Sequence, residues 1–144
     1  METTTPIRPT RQQQHLRRIA LDAGPVAAAE ARTEVRAAIL AWDLPVDESV
    51  AVLLTSELVT NAIRHEEGET VTLVITSACG QLRVEVHDTS HSVPIPVDGP
   101  ADAETGRGLM LVASLSKEWG FFRTPTGKAV YFMLMCQTDP QEGD

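Results

Sequence analysis

Three polar residues spaced four apart stand in an otherwise apolar segment between residues 46 and 66. They are Glu57, Asn61 and His65, and residues four apart lie on one face of an α-helix. The amide oxygen of Asn61 is a hard ligand of the kind that Mg²⁺ takes together with phosphate oxygens and waters. Glu57, one turn earlier, could orient or deprotonate an attacking hydroxyl or water. The line therefore predicts a metal-phosphate site.

The same line of polar residues also has a purely structural interpretation. Leu54 and Leu58 interleave with it at about 100° per residue, which places Glu57 and Asn61 on or beside a core-directed face. Polar groups on such a face need hydrogen-bond partners. Glu57 could pair with Arg64 and Asn61 could bond a nearby loop, so the spacing alone leaves both interpretations open.

A carboxylate stands at the end of a predicted strand. Asp88 has the same parity as Leu82, Val84 and Val86, so it continues the inward face of that strand. A carboxylate at the mouth of a core needs a hydrogen-bond donor. The donor could be a backbone N–H of the following loop, or a ligand amine such as the exocyclic amine of adenine.

Two glycines flank an arginine just before an apolar segment that begins at Leu109. In Gly106-Arg107-Gly108 the glycines would let the backbone approach a ligand, and a helix start offers free N–H groups to phosphate. Arg107 adds a charge that suits phosphate oxygens. An ordinary transition from loop to helix explains the pattern equally well, and neither a dinucleotide fingerprint nor a P-loop is present.

Two other chemistries receive less support from the residues. Asp88, Ser90 and His91 are close in sequence, but a hydrolase triad is defined by its geometry in space. No nucleophile elbow accompanies them. His87 and His91 straddle the predicted strand end, and no cysteine pair completes a zinc site with them.

The elements that must position these residues follow from hydrophobic periodicity and turn residues. We predict strands near 15–22, 71–75, 82–86, 118–123 and 129–136, and helices near 25–42, 46–66 and 109–116. Strands joined by short turns pair antiparallel, and helices gather on one face of such a sheet. The predicted fold class is therefore α+β, a two-layer α/β sandwich with a mostly antiparallel, mixed sheet and its helices on one face.

Length and composition set the wider expectations. The 144 residues suffice for one domain, which we place at 15–136 between flexible tails at 1–14 and 137–144. The net charge of −8 argues against direct nucleic-acid binding. No apolar run reaches the length of a membrane span, and the first residues lack the apolar segment of a signal peptide. We expect a cytoplasmic protein without membrane contact.

The order of these features resembles the Bergerat ATP-binding fold of the GHKL superfamily. Within it, the chain is similar to the small anti-sigma-factor serine kinases of the SpoIIAB and RsbW type, and its Ala, Arg and Val usage resembles actinobacterial members. Residues 56–62 resemble the N box of that family, 86–88 the start of its G1 box and 106–112 its G2 box. The segments 119–120 and 127–132 also follow family patterns.

The resemblance implies a site with assigned roles. The residue matching Asn61 holds Mg²⁺ on the ATP phosphates, the one matching Glu57 is the catalytic base, and the one matching Asp88 recognises adenine. Residues 106–109 would line the phosphate side of the nucleotide beneath a lid at residues 91–105. The implied cofactors are ATP and Mg²⁺.

The resemblance also implies partners and an activity. Members bind a sigma factor and a STAS-type anti-anti-sigma protein, whose serine they phosphorylate, and they commonly form homodimers. The expected function is thus an ATP-binding anti-sigma factor with serine protein kinase activity. The family G1 box usually reads Asp-x-Gly-x-Gly, whereas residues 88–92 read Asp-Thr-Ser-His-Ser. The alternative is a non-catalytic module that sequesters its partner and carries a degenerate ATP site.

Overall fold

A computed structural model describes residues 14–65, 69–90 and 104–137 of the chain, and the side chains of all of these except His65 and residues 104–107. Residues 91–103 of the predicted lid and almost all of both predicted tails lie outside these residues. The last two residues of the predicted lid, 104–105, belong to a helix that begins at Glu104. The strands are β1 (His15–Asp22), β2 (Thr70–Ala78), β3 (Gln81–Asp88), β4 (Glu118–Thr124) and β5 (Gly127–Met135), and the helices are α1 (Ala27–Ala41), α2 (Glu48–His65) and α3 (Glu104–Leu115).

The first helix is positioned by small residues at helical spacing. Ala27, Ala31, Val35 and Ala38 form one stripe, and all four are fully buried. Short side chains along the stripe let α1 pack closely against β1, β2 and α2. The helix begins two residues later than Pro25, where the sequence pattern predicted its start.

Helix α2 begins at a capping aspartate. The side chain of Asp47 accepts a hydrogen bond from the backbone N–H of Val50 at 3.2 Å. This is the geometry of an N-cap, which satisfies one of the free donors in the first helical turn. The turn before it includes Asp43 with a φ of +53°, a conformation that aspartate tolerates better than most residues. The cap fixes where α2 starts and thus which of its residues face the sheet.

Five strands form one sheet in the order β1-β2-β3-β5-β4, and all four pairings are antiparallel. The β2–β3 hairpin turns through Cys79 and Gly80, with φ values of +54° and +74°, as a two-residue primed turn requires. Strands β3 and β5 are neighbours although α3 and β4 separate them in the chain, and this pairing sets Asp88 directly opposite Lys128.

All three helices contact one face of the sheet or each other, and α2 packs against both α1 and α3. The inward sheet residues at the centre of the core are fully or almost fully buried: Leu73, Ile75, Leu82, Val84, Val86, Val130 and Phe132. The α+β two-layer sandwich is therefore confirmed. A mixed sheet would contain a parallel pair, and the described strands form none, because each neighbouring pair runs antiparallel.

The outward face of the sheet carries a polar and aromatic cluster. Glu85 accepts a hydrogen bond from Arg83 Nε at 2.8 Å, and its other oxygen lies 2.8 Å from His87 Nε2. The Arg83 guanidinium lies 3.9 Å from the ring centroid of Tyr131, whose hydroxyl donates to Glu118 and has a raised pKa mainly because of that bond. Burial alone raises the pKa of Glu85, but the bonds and charges of His87 and Arg83 outweigh it and hold the pKa below its ordinary value of 4.5.

Glu85→Gln tests this cluster through the pH dependence of stability. Because the folded pKa is lowered, the stabilisation is present above the ordinary value and is lost as the pH falls through the lowered one. We expect the variant to unfold about 1 kcal/mol more easily at neutral pH, by urea titration, and the difference to shrink in acid. Glu34→Gln, at the more exposed pair with Arg17, is the control and should change little at either pH. A difference for Glu85→Gln that is independent of pH would contradict the lowered pKa.

Candidate functional site

The predicted polar line on α2 lies where the helix faces its neighbours. Leu54 and Leu58 are almost completely buried, and Asn61, which follows on the same side, is 5% exposed. Glu57 is half-buried. The prediction that Glu57 and Asn61 lie on or beside a core-directed face is therefore confirmed. His65 ends α2, with its side chain outside the described part.

The side-chain oxygen of Asn61 is buried without a hydrogen-bond donor from the described residues. An unsatisfied buried acceptor costs roughly 1–3 kcal/mol, so native proteins seldom keep one without a use. The predicted bond from Asn61 to a nearby loop is not found within the described residues. An unpaired lone pair on a hard amide oxygen suits a magnesium ion, so this oxygen fits the metal that the family resemblance implies.

Glu57 is held against the third helix. A Cβ added to Gly108 would overlap Glu57 Oε1, so only glycine leaves the carboxylate where it is. Within the described residues Glu57 makes no hydrogen bond or ion pair, and the alternative in which it pairs with Arg64 is not found there. A half-buried carboxylate without a partner is available to accept a proton or a ligand hydrogen bond.

The glycine pair differs from its predicted setting. The sequence pattern placed Gly106 and Gly108 before a helix that starts at Leu109, but α3 already begins at Glu104 and includes both. The start at the apolar run was wrong because tertiary contact with α2 outweighs the low helix propensity of glycine, about 1 kcal/mol per residue. Leu109 is buried in the core, so its side chain points away from any ligand and only its backbone could face one. The side chain of Arg107 lies outside the described part.

Asp88 is completely enclosed and has its donors within the chain. Lys128 Nζ lies 3.0 Å from both of its carboxylate oxygens, and the backbone N–H of Ser90 donates to Oδ1 at 2.9 Å. The structural interpretation, a carboxylate that caps its own loop, is thus confirmed. Lys128 was missed by the sequence reasoning. Its inward parity with Val130 and Phe132 was the signal that could have found it, since a charge on that face requires a partner.

A tight contact keeps the same two strand ends together. A Cβ on Gly127 would overlap the backbone carbonyl oxygen of Asp88 and would lie 2.6 Å from the Cα of Thr89. Any other residue at Gly127 would push β5 away from the end of β3. This glycine therefore serves backbone packing, and it holds Lys128, the next residue, at its place opposite Asp88.

The two weaker chemistries receive no support from the geometry. His87 lies on the outward face beside Glu85, whereas Asp88 points inward. His91 lies outside the described residues. Across residues 14–65, 69–90 and 104–137 no three histidine, cysteine, aspartate or glutamate side chains gather as metal ligands would.

Comparison with known proteins assigns the fold. The sequence model of the Histidine kinase-like ATPase domain matches residues 21–134. The chain belongs to this family. Membership implies an ATP-binding site and confirms the predicted GHKL fold. The segments that resemble the N and G2 boxes lie on α2 and α3.

A solved structure has a similar fold. It is the crystal structure of the RsbU and RsbW domains of Rv1364c from Mycobacterium tuberculosis, with a TM-score of 0.65 and 20% sequence identity. The match covers 87% of this chain but 33% of the other, so the chain spans about a third of that protein. A comparison with curated proteins gave no significant match. None of the helices in the described residues has the length and hydropathy to cross a membrane.

Asn61→Leu tests whether the buried amide oxygen is kept for binding. Because that oxygen has no donor among the described residues, an apolar side chain of similar size should raise the free energy of unfolding by about 1 kcal/mol. Urea unfolding measures the change, with Asn61→Asp as the comparison that keeps an oxygen in place. A clear loss of stability in Asn61→Leu would show that the amide has a structural partner, and would contradict its assignment as a free ligand.

Gly108→Ala tests the contact between α3 and Glu57. The added methyl group should displace Glu57 Oε1, and this cost should offset the gain in helix propensity of about 1 kcal/mol. In a Glu57→Ala background the full gain should appear, which a double-mutant cycle of unfolding free energies measures. Glu48→Ala, on the same helix but paired with Arg36, is the control background and should leave the effect of Gly108→Ala unchanged. Additivity in both backgrounds would contradict the contact.

Proposed function

We propose that this chain is a cytoplasmic anti-sigma factor that binds ATP and Mg²⁺ and phosphorylates a serine of a STAS-type anti-anti-sigma partner, as a homodimer. Support comes from membership of the Histidine kinase-like ATPase domain family and from the resemblance of residues 56–62 and 106–112 to the N and G2 boxes of such kinases. The similar structure, which contains an RsbW domain, shares the fold.

One observation carries the proposal. On α2, the partnerless buried oxygen of Asn61 lies one turn after Glu57, a carboxylate without a described partner that Gly108 accommodates. The unsatisfied buried oxygen of Asn61 is costly for folding alone, and Glu57 one turn earlier is half-buried without a partner among the described residues. They suit a site that gains a cation at one position and a proton at the other.

Each residue of the site has a proposed role in phosphate transfer. Asn61 would hold Mg²⁺, which when bound neutralises charge on the nucleotide phosphates. Glu57 would accept the proton of the partner's serine hydroxyl as the serine oxygen bonds the γ-phosphorus and the bond to the departing ADP oxygen breaks. The backbone of Gly106, Arg107, Gly108 and Leu109 would lie on the phosphate side, and Asp88 would receive the adenine amine.

A second candidate is a non-catalytic module that sequesters its partner. It is favoured by the base end of the site, where both oxygens of Asp88 are already bonded to Lys128 and no oxygen is exposed. The altered G1 box at residues 88–92 points the same way. In this function ATP would be a structural ligand or would not bind at all.

Glu57→Gln distinguishes the two functions. The wild type should transfer radiolabelled phosphate from ATP to a STAS-domain protein of the same genome, and the variant should be slower by about 10²-fold or more, as for loss of a general base. Nucleotide affinity, measured by calorimetry, should be unchanged. Glu48→Gln is the matched control on the same helix and should transfer phosphate normally. Full activity in Glu57→Gln would reject its role, and a wild type that binds ATP without transferring phosphate would favour the sequestering module.

A further inference from the structure

The ion pair between Lys128 and Asp88 is the most deeply buried charged contact that the structure describes. The side chain of Lys128 is 1% exposed and that of Asp88 is 0% exposed. Lysine is almost never fully buried unless its charge is paired, and a buried ion pair is often no more stable than apolar residues of similar volume. The pair is therefore poorly explained by stability alone.

The pair is fixed by the sheet. Asp88 and Lys128 lie directly opposite each other on β3 and β5, and both point to the helix side. Gly127 lets the two backbones meet closely beside them. The strand register thus places the ammonium beside the carboxylate, and both residues start from buried positions on the sheet.

The carboxylate has little capacity left for a ligand. Its Oδ1 accepts from both Lys128 and the N–H of Ser90, and its Oδ2 accepts from Lys128. An ionised carboxylate offers about four acceptor positions, so three are taken. Because the side chain has no exposed surface, a ligand amine cannot reach the remaining position in this arrangement.

We propose that Lys128 determines whether Asp88 can bind a base: the ammonium occupies acceptor positions of the carboxylate, and a nucleobase amine binds there only by displacing it. This inference rests on the proposed function, in which Asp88 receives the adenine amine. Lys128 is a competitor within the chain, and the ligand class that it controls is a nucleotide whose base carries an exocyclic amine.

Displacement sets a measurable penalty on affinity. The apparent dissociation constant rises in inverse proportion to the fraction of molecules in which the site is competent. If the pair is open in about a tenth of the molecules or fewer, removal of the ammonium should tighten binding by about tenfold or more.

Lys128→Thr is the direct test, because threonine is too short to reach across to both carboxylate oxygens. Calorimetric titration with a non-hydrolysable ATP analogue and Mg²⁺ should give a dissociation constant about tenfold lower than that of the wild type. Lys117→Thr is the matched control, since it removes the same charge at an exposed position after α3. It should not tighten binding.

A second ligand shows whether the tighter binding of Lys128→Thr depends on the exocyclic amine of the base. Purine riboside triphosphate lacks the exocyclic amine of adenine, so the tightening in Lys128→Thr should be absent for it. Equal or weaker binding of the ATP analogue to Lys128→Thr overturns the inference, as does equal tightening for both nucleotides. If the wild type and Lys128→Thr both fail to bind any nucleotide, the proposed function fails with it, whereas an unaltered affinity in the variant rejects the inference alone.

A measurement on the wild type covers the case in which Lys128→Thr does not fold. In protein with isotope-labelled lysine and no added nucleotide, the ammonium protons of Lys128 should be protected from exchange with water, because the ammonium is enclosed. Saturating ATP analogue with Mg²⁺ should move the resonance of these protons and abolish their protection. A resonance that keeps its position and protection in the nucleotide complex overturns the inference.

Discussion

The burial of α2 is the constraint on which the rest of the structure depends. The helix packs against the sheet on one side and between α1 and α3 on the others, so most of its positions must be apolar. Polar atoms at such positions need partners or they cost free energy. Asn61 and Glu57 lack described partners at these positions, and Gly108 on α3 leaves space for the carboxylate. The helix therefore gives up stability at one place, and that place is where the family resemblance expects metal and phosphate.

The two ends of the candidate site differ in their electrostatics. At the proposed phosphate end the buried oxygen of Asn61 on α2 has no hydrogen-bond donor among the described residues. At the base end Asp88 is neutralised by Lys128 within a closed space. An unpaired buried carboxylate is expensive, so a chain that keeps Asp88 without a nucleotide benefits from a lysine opposite it. In the proposed function the same lysine competes with the base for Asp88, so the chain could keep the fold of an ATPase domain and still bind nucleotide weakly.

Much of this arrangement could be predicted from the sequence, because local patterns determine it. The alternation in β2 and β3 and the Cys79-Gly80 turn gave the hairpin, and the spacing of Leu54, Leu58 and Asn61 gave the buried face of α2. The start of α3 was misplaced, since glycine propensity is a local quantity and the contact with α2 is not. The ion pair at Asp88 was missed for a related reason. Parity places Lys128 on the inward face, but its pairing with Asp88 depends on β5 lying beside β3, a contact between residues 40 apart in the chain.

The most direct test of the account is calorimetric titration of the wild-type protein with a non-hydrolysable ATP analogue, with and without Mg²⁺. The account predicts binding that requires Mg²⁺ and that Asn61→Ala removes, because the amide oxygen of Asn61 is the metal ligand offered by α2. Binding of equal strength in the absence of Mg²⁺, or binding that Asn61→Ala leaves intact, would contradict the assignment of this helix face to the metal and the phosphates.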